Sequence, residues 1–206
     1  VGQGLSILVQ SDGETLLYDG GPRSASSYVV SYLQDQQVES IDYLISSHYD
    51  EDHVSGLIGC LNTFSVKNVI GADYVHDSSL YDSFVSKVEQ LGLEIQHPAV
   101  GTENEFGSGE FTVLSPAVIS NESNANSVAI KLANGENSFI FTGDADYHSE
   151  ADMVDSGIDL DCDVLSLGHH GSASSTTWDL LEATTPSWAV ISCGQDNSYG
   201  HPAAST

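Results

Sequence analysis

The stretch Ser47-His48-Tyr49-Asp50-Glu51-Asp52-His53 sets two imidazoles and three carboxylates between two apolar segments. In an extended segment His48 and Asp50 point the same way, whereas Asp52 and His53 come from the turn into a helix and face a second point nearby. These four candidate ligands can therefore divide between two metal ions. Imidazole nitrogen with carboxylate oxygen suits zinc, and manganese or iron as well. Acidic residues are ordinary at a helix start, where they meet the positive end of the dipole. That accounts for Glu51 and in part for Asp52, but not for two flanking histidines in a chain with only 8.

Three further segments supply what this cluster lacks. Phe139-Ile140-Phe141-Thr142-Gly143-Asp144 is an apolar strand ending in a carboxylate, a position from which one ligand can bridge two metals. Leu165-Ser166-Leu167-Gly168-His169-His170-Gly171-Ser172 is a second strand that runs into a histidine pair, and Ser198-Tyr199-Gly200-His201-Pro202 is a loop after the last strand.

The elements that must position these residues alternate between a period of two and a period of 3.6. Leu5–Gln10 and Glu14–Asp19 read as strands around the turn Ser11-Asp12-Gly13, followed by a helix over Ser24–Gln36. Strand Asp42–Ser46, helix Asp52–Leu61, strand Val66–Ile70, helix Ser79–Leu91 capped by Ser78, and strand Leu93–Gln96 continue the alternation. The second half reads as strands Glu110–Leu114, Ser127–Leu132 and Ser138–Thr142, helix Tyr147–Asp155, strand Asp163–Leu167, helix Ser175–Ala183 and strand Trp188–Ser192. Two groups of strands with helices between and after them imply an α/β sandwich of two sheets face to face with helices outside. Because the chain starts on Val1-Gly2-Gln3-Gly4 and stops at Ala203-Ala204-Ser205-Thr206, we expect one domain over residues 1–206 that lacks an edge element at one or both ends.

Four basic residues against 30 acidic ones give a net charge of −26. Arg23, Lys67, Lys87 and Lys131 are scattered, which argues against a domain that by itself grips nucleic acid through its phosphates. The acids are interspersed with apolar strands rather than gathered in a tail, so a folded, highly charged domain is expected rather than disorder. No run approaches the ~20 apolar residues of a membrane span, and no signal peptide is legible in the segment. Such acidity suits an extracellular or cell-surface, salt-exposed protein. Cys60, Cys162 and Cys193 have no paired spacing and sit in apolar surroundings, so they read as buried free thiols, with a Cys162–Cys193 bridge as the alternative.

The order His48-x-Asp50-x-Asp52-His53, then Gly143-Asp144, then His169-His170-Gly171-Ser172, resembles the metallo-β-lactamase superfamily, in the branch of the ComEC/Rec2 competence proteins. Val1-Gly2-Gln3-Gly4, Asp19-Gly20-Gly21, Asn126-Ser127 and Tyr199-Gly200-His201-Pro202 fit the same branch, so the resemblance covers nearly the whole chain. It implies an αββα four-layer sandwich, two mixed sheets with helices outside, and a metal site where strand tips and loops meet. It further implies that His48 binds a first metal, with Asp50 in the place of a second histidine, that Asp52 and His53 bind a second, and that Asp144 bridges. Of the histidine pair, His169 is expected as the ligand, and Asp19 as a residue holding a ligand or a loop. The chain departs from the pattern at Leu5, where the branch has an acid, and at Asn126, where most superfamily hydrolases have a histidine. An amide coordinates zinc poorly, so the first metal is expected to be loosely held, and single-metal operation stays open alongside Asn126 as a turn residue.

The expected chemistry is metal-assisted hydrolysis with one or two divalent ions, zinc first and manganese as the alternative. Asp52 belongs to the reacting centre. His170 or His201 can donate a proton on the leaving-group side, while Ser172 with a backbone N–H holds a phosphate oxygen and Tyr199 stands near the substrate. His76, His97 and His148 lie outside the motifs and read as surface residues. The resemblance points to a phosphodiesterase, with nuclease activity as one version, acting on a small phosphodiester or a cell-surface substrate. DNA would need screening cations or help from another domain. A binding module that turns nothing over and a diiron oxidoreductase are the rival readings. Oligomeric state is not legible.

Overall fold

The computed structural model describes all 206 residues. Its first sheet holds β1 (Ile7–Ser11), β2 (Glu14–Tyr18), β3 (Ser40–Ile45), β4 (Ser65–Ile70) and β5 (Ile95–Gln96), side by side in that order. The β1–β2 hairpin is antiparallel and the rest of the sheet parallel. Parallel neighbours need long crossovers, and two of these carry the helices α1 (Ser26–Asp35) and α2 (Glu51–Thr63). A third crossover carries α3 (Ser79–Gln90), where the Ser78 hydroxyl caps the helix by accepting the Tyr81 N–H at 3.2 Å. The second sheet holds β6 (Glu103–Phe106), β7 (Gly109–Val113), β8 (Ile130–Asn134), β9 (Asn137–Phe141), β10 (Val164–Ser166) and β11 (Trp188–Val190). Its spatial order is β11-β10-β9-β8-β7-β6, antiparallel from β6 to β9 and parallel from β9 to β11. α4 (Tyr147–Asp155) and α5 (Trp178–Thr184) provide its helical cover.

Strand alternation sorts side chains into three apolar layers. Leu16 and Tyr18 point between the sheets, where they join Ile70, Phe111, Ile130 and Phe141. Leu17, one residue out of phase, meets Val29, Leu33, Leu57 and Phe84 under the first set of helices. Ile140 and Leu165 pack with Met153 of α4 and Leu180 of α5. The result is the expected αββα sandwich, with mixed sheets. No helix is long and apolar enough to cross a membrane.

Several boundaries differ from the sequence reading for local reasons. β6 was not expected, because only Phe106 in Glu103-Asn104-Glu105-Phe106 is buried at this sheet edge; the two-residue turn Gly107-Ser108 is its one signal. Ser127–Ala129 precede β8 rather than opening it, since the Val128 N–H crosses to the Ser47 carbonyl at 2.7 Å. α5 begins at Trp178 instead of Ser175 because Thr177 is its cap and Ser175 donates its hydroxyl to Ala145 O. All three cysteines are free; Cys60 and Cys162 are buried, whereas Cys193 is only half-buried, against the expectation for that residue. Burial pushes the Cys60 thiol up to about 12 and the Cys162 thiol to about 11, so neither is a ready thiolate.

Candidate metal centre

Loops leaving the C-terminal ends of β2, β3, β9 and β10 converge on one spot, bringing Asp19, residues 46–53, Asp144 and residues 168–171 together. The start of α2 is drawn onto the loop after β2 by backbone bonds, with Gly20 N–H donating to His53 O at 2.7 Å and Gly56 N–H to Gly21 O at 3.1 Å. The approach is so close that a Cβ on Gly56 would fall on the Gly20 carbonyl. Gly143 turns β9 into the site with φ of +57°, and a Cβ there would lie 2.6 Å from Ser47 Cβ.

Outward hydrogen bonds fix which nitrogen each imidazole presents. The Ser47 hydroxyl has one proton, which it donates to Asp19 Oδ2 at 2.7 Å; its 3.0 Å contact with His48 Nδ1 therefore takes an N–H from the ring. His53 Nδ1 donates to the same Asp19 oxygen at 2.8 Å, and His170 Nδ1 donates to Ser192 O at 2.9 Å. All three rings are thus held with Nε2 facing inward, the arrangement by which an outer partner sets a ligating histidine.

The inward atoms lie close together. His53 Nε2 is 3.3 Å from His170 Nε2 and 3.3 Å from Asp144 Oδ1, and His170 Nε2 is 3.3 Å from Asp52 Oδ2 and 3.5 Å from Asp144 Oδ2. His48 Nε2 and Asp144 Oδ1 are buried and make no hydrogen bond. Two sets, His48–His53–Asp144 and Asp52–His53–His170, each offer three donor atoms within 4.8 Å of one another. Orphaned polar atoms beside inward-facing imidazole nitrogens and carboxylates fit a divalent cation.

The electrostatics agree with that fit. Burial alone would push the Asp144 carboxyl up, but the neighbouring His53, His48 and His170 outweigh it and hold it far below the ordinary range. Asp50 is held low against its burial by His48, Ser123 and His76, and Asp52 by His170 and His53. Burial lowers His53 and His170, yet the carboxylates prevail: Asp144 and Asp19 raise His53 well above its usual value, and Asp52 and Asp144 raise His170. Carboxylates that draw protons onto imidazoles draw a cation to the same atoms, so loading releases protons.

Within the histidine pair the side chains lie opposite to the expectation. Both residues have left-handed backbone, φ +48° at His169 and +56° at His170, a costly conformation for two successive non-glycine residues. It turns the His170 ring inward among Asp52, His53 and Asp144, and leaves His169 partly exposed at the edge of the cluster, its Nε2 3.7 Å from Asp144 Oδ2. Burial lowers the His169 pKa. His201 stands nearby, its ring 5.6 Å from that of His169, and Tyr199 stacks on His201 at 5.7 Å while 71% exposed. Gln3 ties the chain start to this loop: its Nε2 lies 3.4 Å from His201 Nδ1, and its Oε1 accepts the Gly194 N–H at 3.0 Å. The Ser172 hydroxyl is 3.0 Å from that of Ser174, which in turn is 3.3 Å from His169 Nδ1.

Asn126 is buried, but its amide is spent on Ser120, accepting the N–H at 2.7 Å and donating to the carbonyl at 3.0 Å, so it pins a loop and does not face the cluster. Leu5, the other departure, is a core residue. Ser123 and Asn124, from that pinned region, reach the site instead: Ser123 donates to Asp50 at 2.7 Å, and Asn124 Nδ2 lies 3.3 Å from the His169 ring. His76, read as a surface residue, has Nε2 3.2 Å from Asp50 Oδ1. His148 is exposed, and His97 bonds Gly71 O with Nδ1 at 2.9 Å. Nothing in the spacing of Ser123, Asn124 or His76 announces these contacts; only neighbourhood in space does. A cleft of about 790 Å³ opens beside the cluster, lined by Asp50, Asp52, His76, Ser78 and Tyr199 among others.

A family profile described as the Metallo-beta-lactamase superfamily matches residues 1–195. Competence protein ComA of Neisseria gonorrhoeae is 32% identical over 206 residues, covering 98% of this chain and 27% of the relative. ComE operon protein 3 of Bacillus subtilis is 27% identical over 221 residues, covering 98% and 28%. Recombination protein 2 of Haemophilus influenzae is 30% identical over 208 residues, covering 98% and 24%. The chain thus spans about a quarter of the length of each of these relatives. Among solved structures, CmlA, a diiron β-hydroxylase from Streptomyces venezuelae, overlays with a TM-score of 0.61 at 14% identity, covering 98% of this chain and 48% of that one. A metallo-β-lactamase of Cronobacter sakazakii overlays at 0.56 with 12% identity, covering 78% and 65%. At such identities the overlays show a shared fold.

Proposed function

The chain belongs to the metallo-β-lactamase superfamily, in its ComEC/Rec2-like branch, and on that premise we propose that it is a divalent-metal-dependent hydrolase of phosphodiesters. One observation carries the reading: three imidazoles locked with Nε2 inward around a buried carboxylate, with His48 Nε2 and Asp144 Oδ1 making no hydrogen bond. His48, Asp50, Asp52, His53, His170 and Asp144 would hold one or two cations, with zinc favoured by the nitrogen donors and manganese accommodated by the three carboxylates. Such a cation, when bound, supplies a water that ionises near neutral pH and positive charge beside developing phosphoryl oxygens.

The remaining work falls to residues around this centre. Asp52, about a third exposed through its side chain (32%), faces solvent and can accept a proton there. His169, braced by Asn124 and Ser174, and His201, braced by Gln3, offer ring N–H groups toward a leaving-group oxygen. Tyr199 presents a stacking face at the rim. The relatives' names, a competence protein and a recombination protein, direct attention to DNA phosphodiesters. A net charge of −26 opposes a long polyanion, so a small diester or a strand end presented by cations or a basic neighbour is the substrate we favour, met outside the cell or at its surface.

The test is turnover of bis-p-nitrophenyl phosphate by metal-stripped protein reloaded with zinc or manganese, beside a β-lactam and a thioester. Metal-restored diester cleavage that disappears in Asp144→Ala, together with lowered metal stoichiometry, supports the reading. Full metal loading with no diester turnover would leave a binding module. Iron retained in preference to zinc and manganese would favour oxidoreductase chemistry.

A further inference from the structure

Asp50 stands where the resemblance places a histidine in most of the superfamily, and its two oxygens have different surroundings. Oδ1 accepts the Ser123 hydroxyl at 2.7 Å and lies 3.2 Å from His76 Nε2. Oδ2 is turned the other way, 3.6 Å from His48 Nε2, an atom that is itself buried and unpartnered.

Each contact on Oδ1 is the end of a relay whose direction the carboxylate sets, since Oδ1 can only accept. His76 Nε2 therefore carries the hydrogen aimed at Asp50, and Nδ1 of the neutral ring is left to accept the Ser78 hydroxyl at 2.8 Å, while the Ser78 oxygen takes the Tyr81 N–H as the cap of α3. On the other side, Tyr74 Oη accepts the Tyr49 N–H at 3.2 Å and donates to Ser123 Oγ at 2.9 Å, leaving the Ser123 proton for Asp50. Two donors converging on Oδ1 leave Oδ2 as the oxygen with open lone pairs.

We propose that His76 and Ser123 are positioning residues that hold Asp50 as a single-oxygen ligand, making the His48–Asp50 side of the centre a distinct and weaker cation position. This rests on the metal-binding part of the function proposed above. The other side gathers Asp52, His53 and His170, with Asp144 Oδ2 3.5 Å from His170 Nε2, whereas this side has His48 beside Asp144 and one oxygen of Asp50 3.6 Å from His48 Nε2, and Asn126 is occupied by Ser120. Removing such an outer partner typically lowers metal affinity by about 10–100-fold. His76 also lines the cleft, and through Ser78 the relay ties the start of α3 to the ligand.

The experiment is a cobalt(II) titration of the metal-free whole chain, read by visible absorption and calorimetry. Wild type is expected to take two equivalents of unequal affinity. His76→Ala should weaken the second by about 10–100-fold and leave the first within twofold, and Ser123→Ala should act in the same direction. His76→Gln, which returns an N–H near the position of Nε2, should restore most of the affinity; it also serves if the alanine variant fails to fold by circular dichroism. Wild-type affinity at both positions in His76→Ala overturns the proposal, as does equal weakening of both. Outright loss of one equivalent without rescue by glutamine would make His76 a ligand and also overturn it. A wild-type chain that takes up no cation sinks the proposed function itself, a result distinct from loading that is indifferent to residue 76.

Discussion

Asp19→Asn isolates the carboxylate behind the centre from every steric effect. Asp19 is fully buried, and its oxygens accept the Ser47 N–H at 2.8 Å, the Ser47 hydroxyl at 2.7 Å and His53 Nδ1 at 2.8 Å. Its φ of +58° is as accessible to asparagine as to aspartate, so the backbone is not strained by the exchange. The amide keeps one acceptor. If that oxygen stays on the Ser47 N–H, an NH₂ group faces both the serine hydroxyl and the imidazole N–H, two donors it cannot serve. Hydrogen bonds to charged groups contribute about 1.5–3 kcal/mol each, so with two of them lost the metal-free fold should lose about 3–6 kcal/mol, and less where the hydroxyl finds another acceptor. His53 can escape the clash only by moving its hydrogen to Nε2, which removes the inward lone pair. Cation affinity should then fall by about 10–100-fold, most at the tighter position, the reverse of the pattern expected for His76→Ala. Urea melts of the metal-free protein and cobalt titration read the two effects separately. A variant with affinity within twofold of wild type would refute the assignment of Asp19 as the group that fixes His53.

Other perturbations test the scaffold. Gly56→Ala forces a methyl onto the Gly20 carbonyl and should cost about 1–3 kcal/mol in urea unfolding; an unchanged midpoint would contradict the close contact. Glu150 is buried and accepts the Thr177 N–H at 2.7 Å and the Thr176 N–H, so Glu150→Gln should leave one donor unmet at about 1–3 kcal/mol. Burial, outweighing those N–H groups, raises the Glu150 pKa above 4.5, so its contribution is fully present below that value and is lost as pH rises through the folded pKa. The deficit of the glutamine variant should accordingly be larger at pH 4.5 than at pH 7, and a deficit that grows with pH would reverse the assignment. With a charge of −26, raising salt from 0.1 M to 1 M shortens the screening length from about 10 Å to about 3 Å and should raise the melting temperature; a fall would show that repulsion does not limit stability.

The strands and helices that carry the site were legible wherever an apolar run met a turn signal. β2, β3, β9 and α2 lie within two residues of their expected limits because Leu16-Leu17-Tyr18, Leu44-Ile45 and Ile140-Phe141 are buried by the layers on either side and Leu57 with Leu61 are buried against the first sheet. β6 carries no such signal because a polar edge strand buries almost nothing. The ligand-type residues were visible as types: His48, Asp50, Asp52, His53, Asp144 and the pair His169-His170 all lie at or beside the convergence point.

Composition and local order thus determined that apolar strands would end in imidazole and carboxylate pairs, since period-two burial and strand-tip glycine are properties of neighbours along the chain. Which atoms face each other was decided only by folding. His170 points inward and His169 lies at the edge of the cluster because both adopt left-handed backbone and Ser192, from the strand end beyond α5, holds one ring. Asn126 turned to Ser120, and His76 and Ser123 came to Asp50 from 26 and 73 residues away, because hydrogen bonds select partners by distance in space and one buried carboxylate oxygen requires donors from wherever the packed layers bring them.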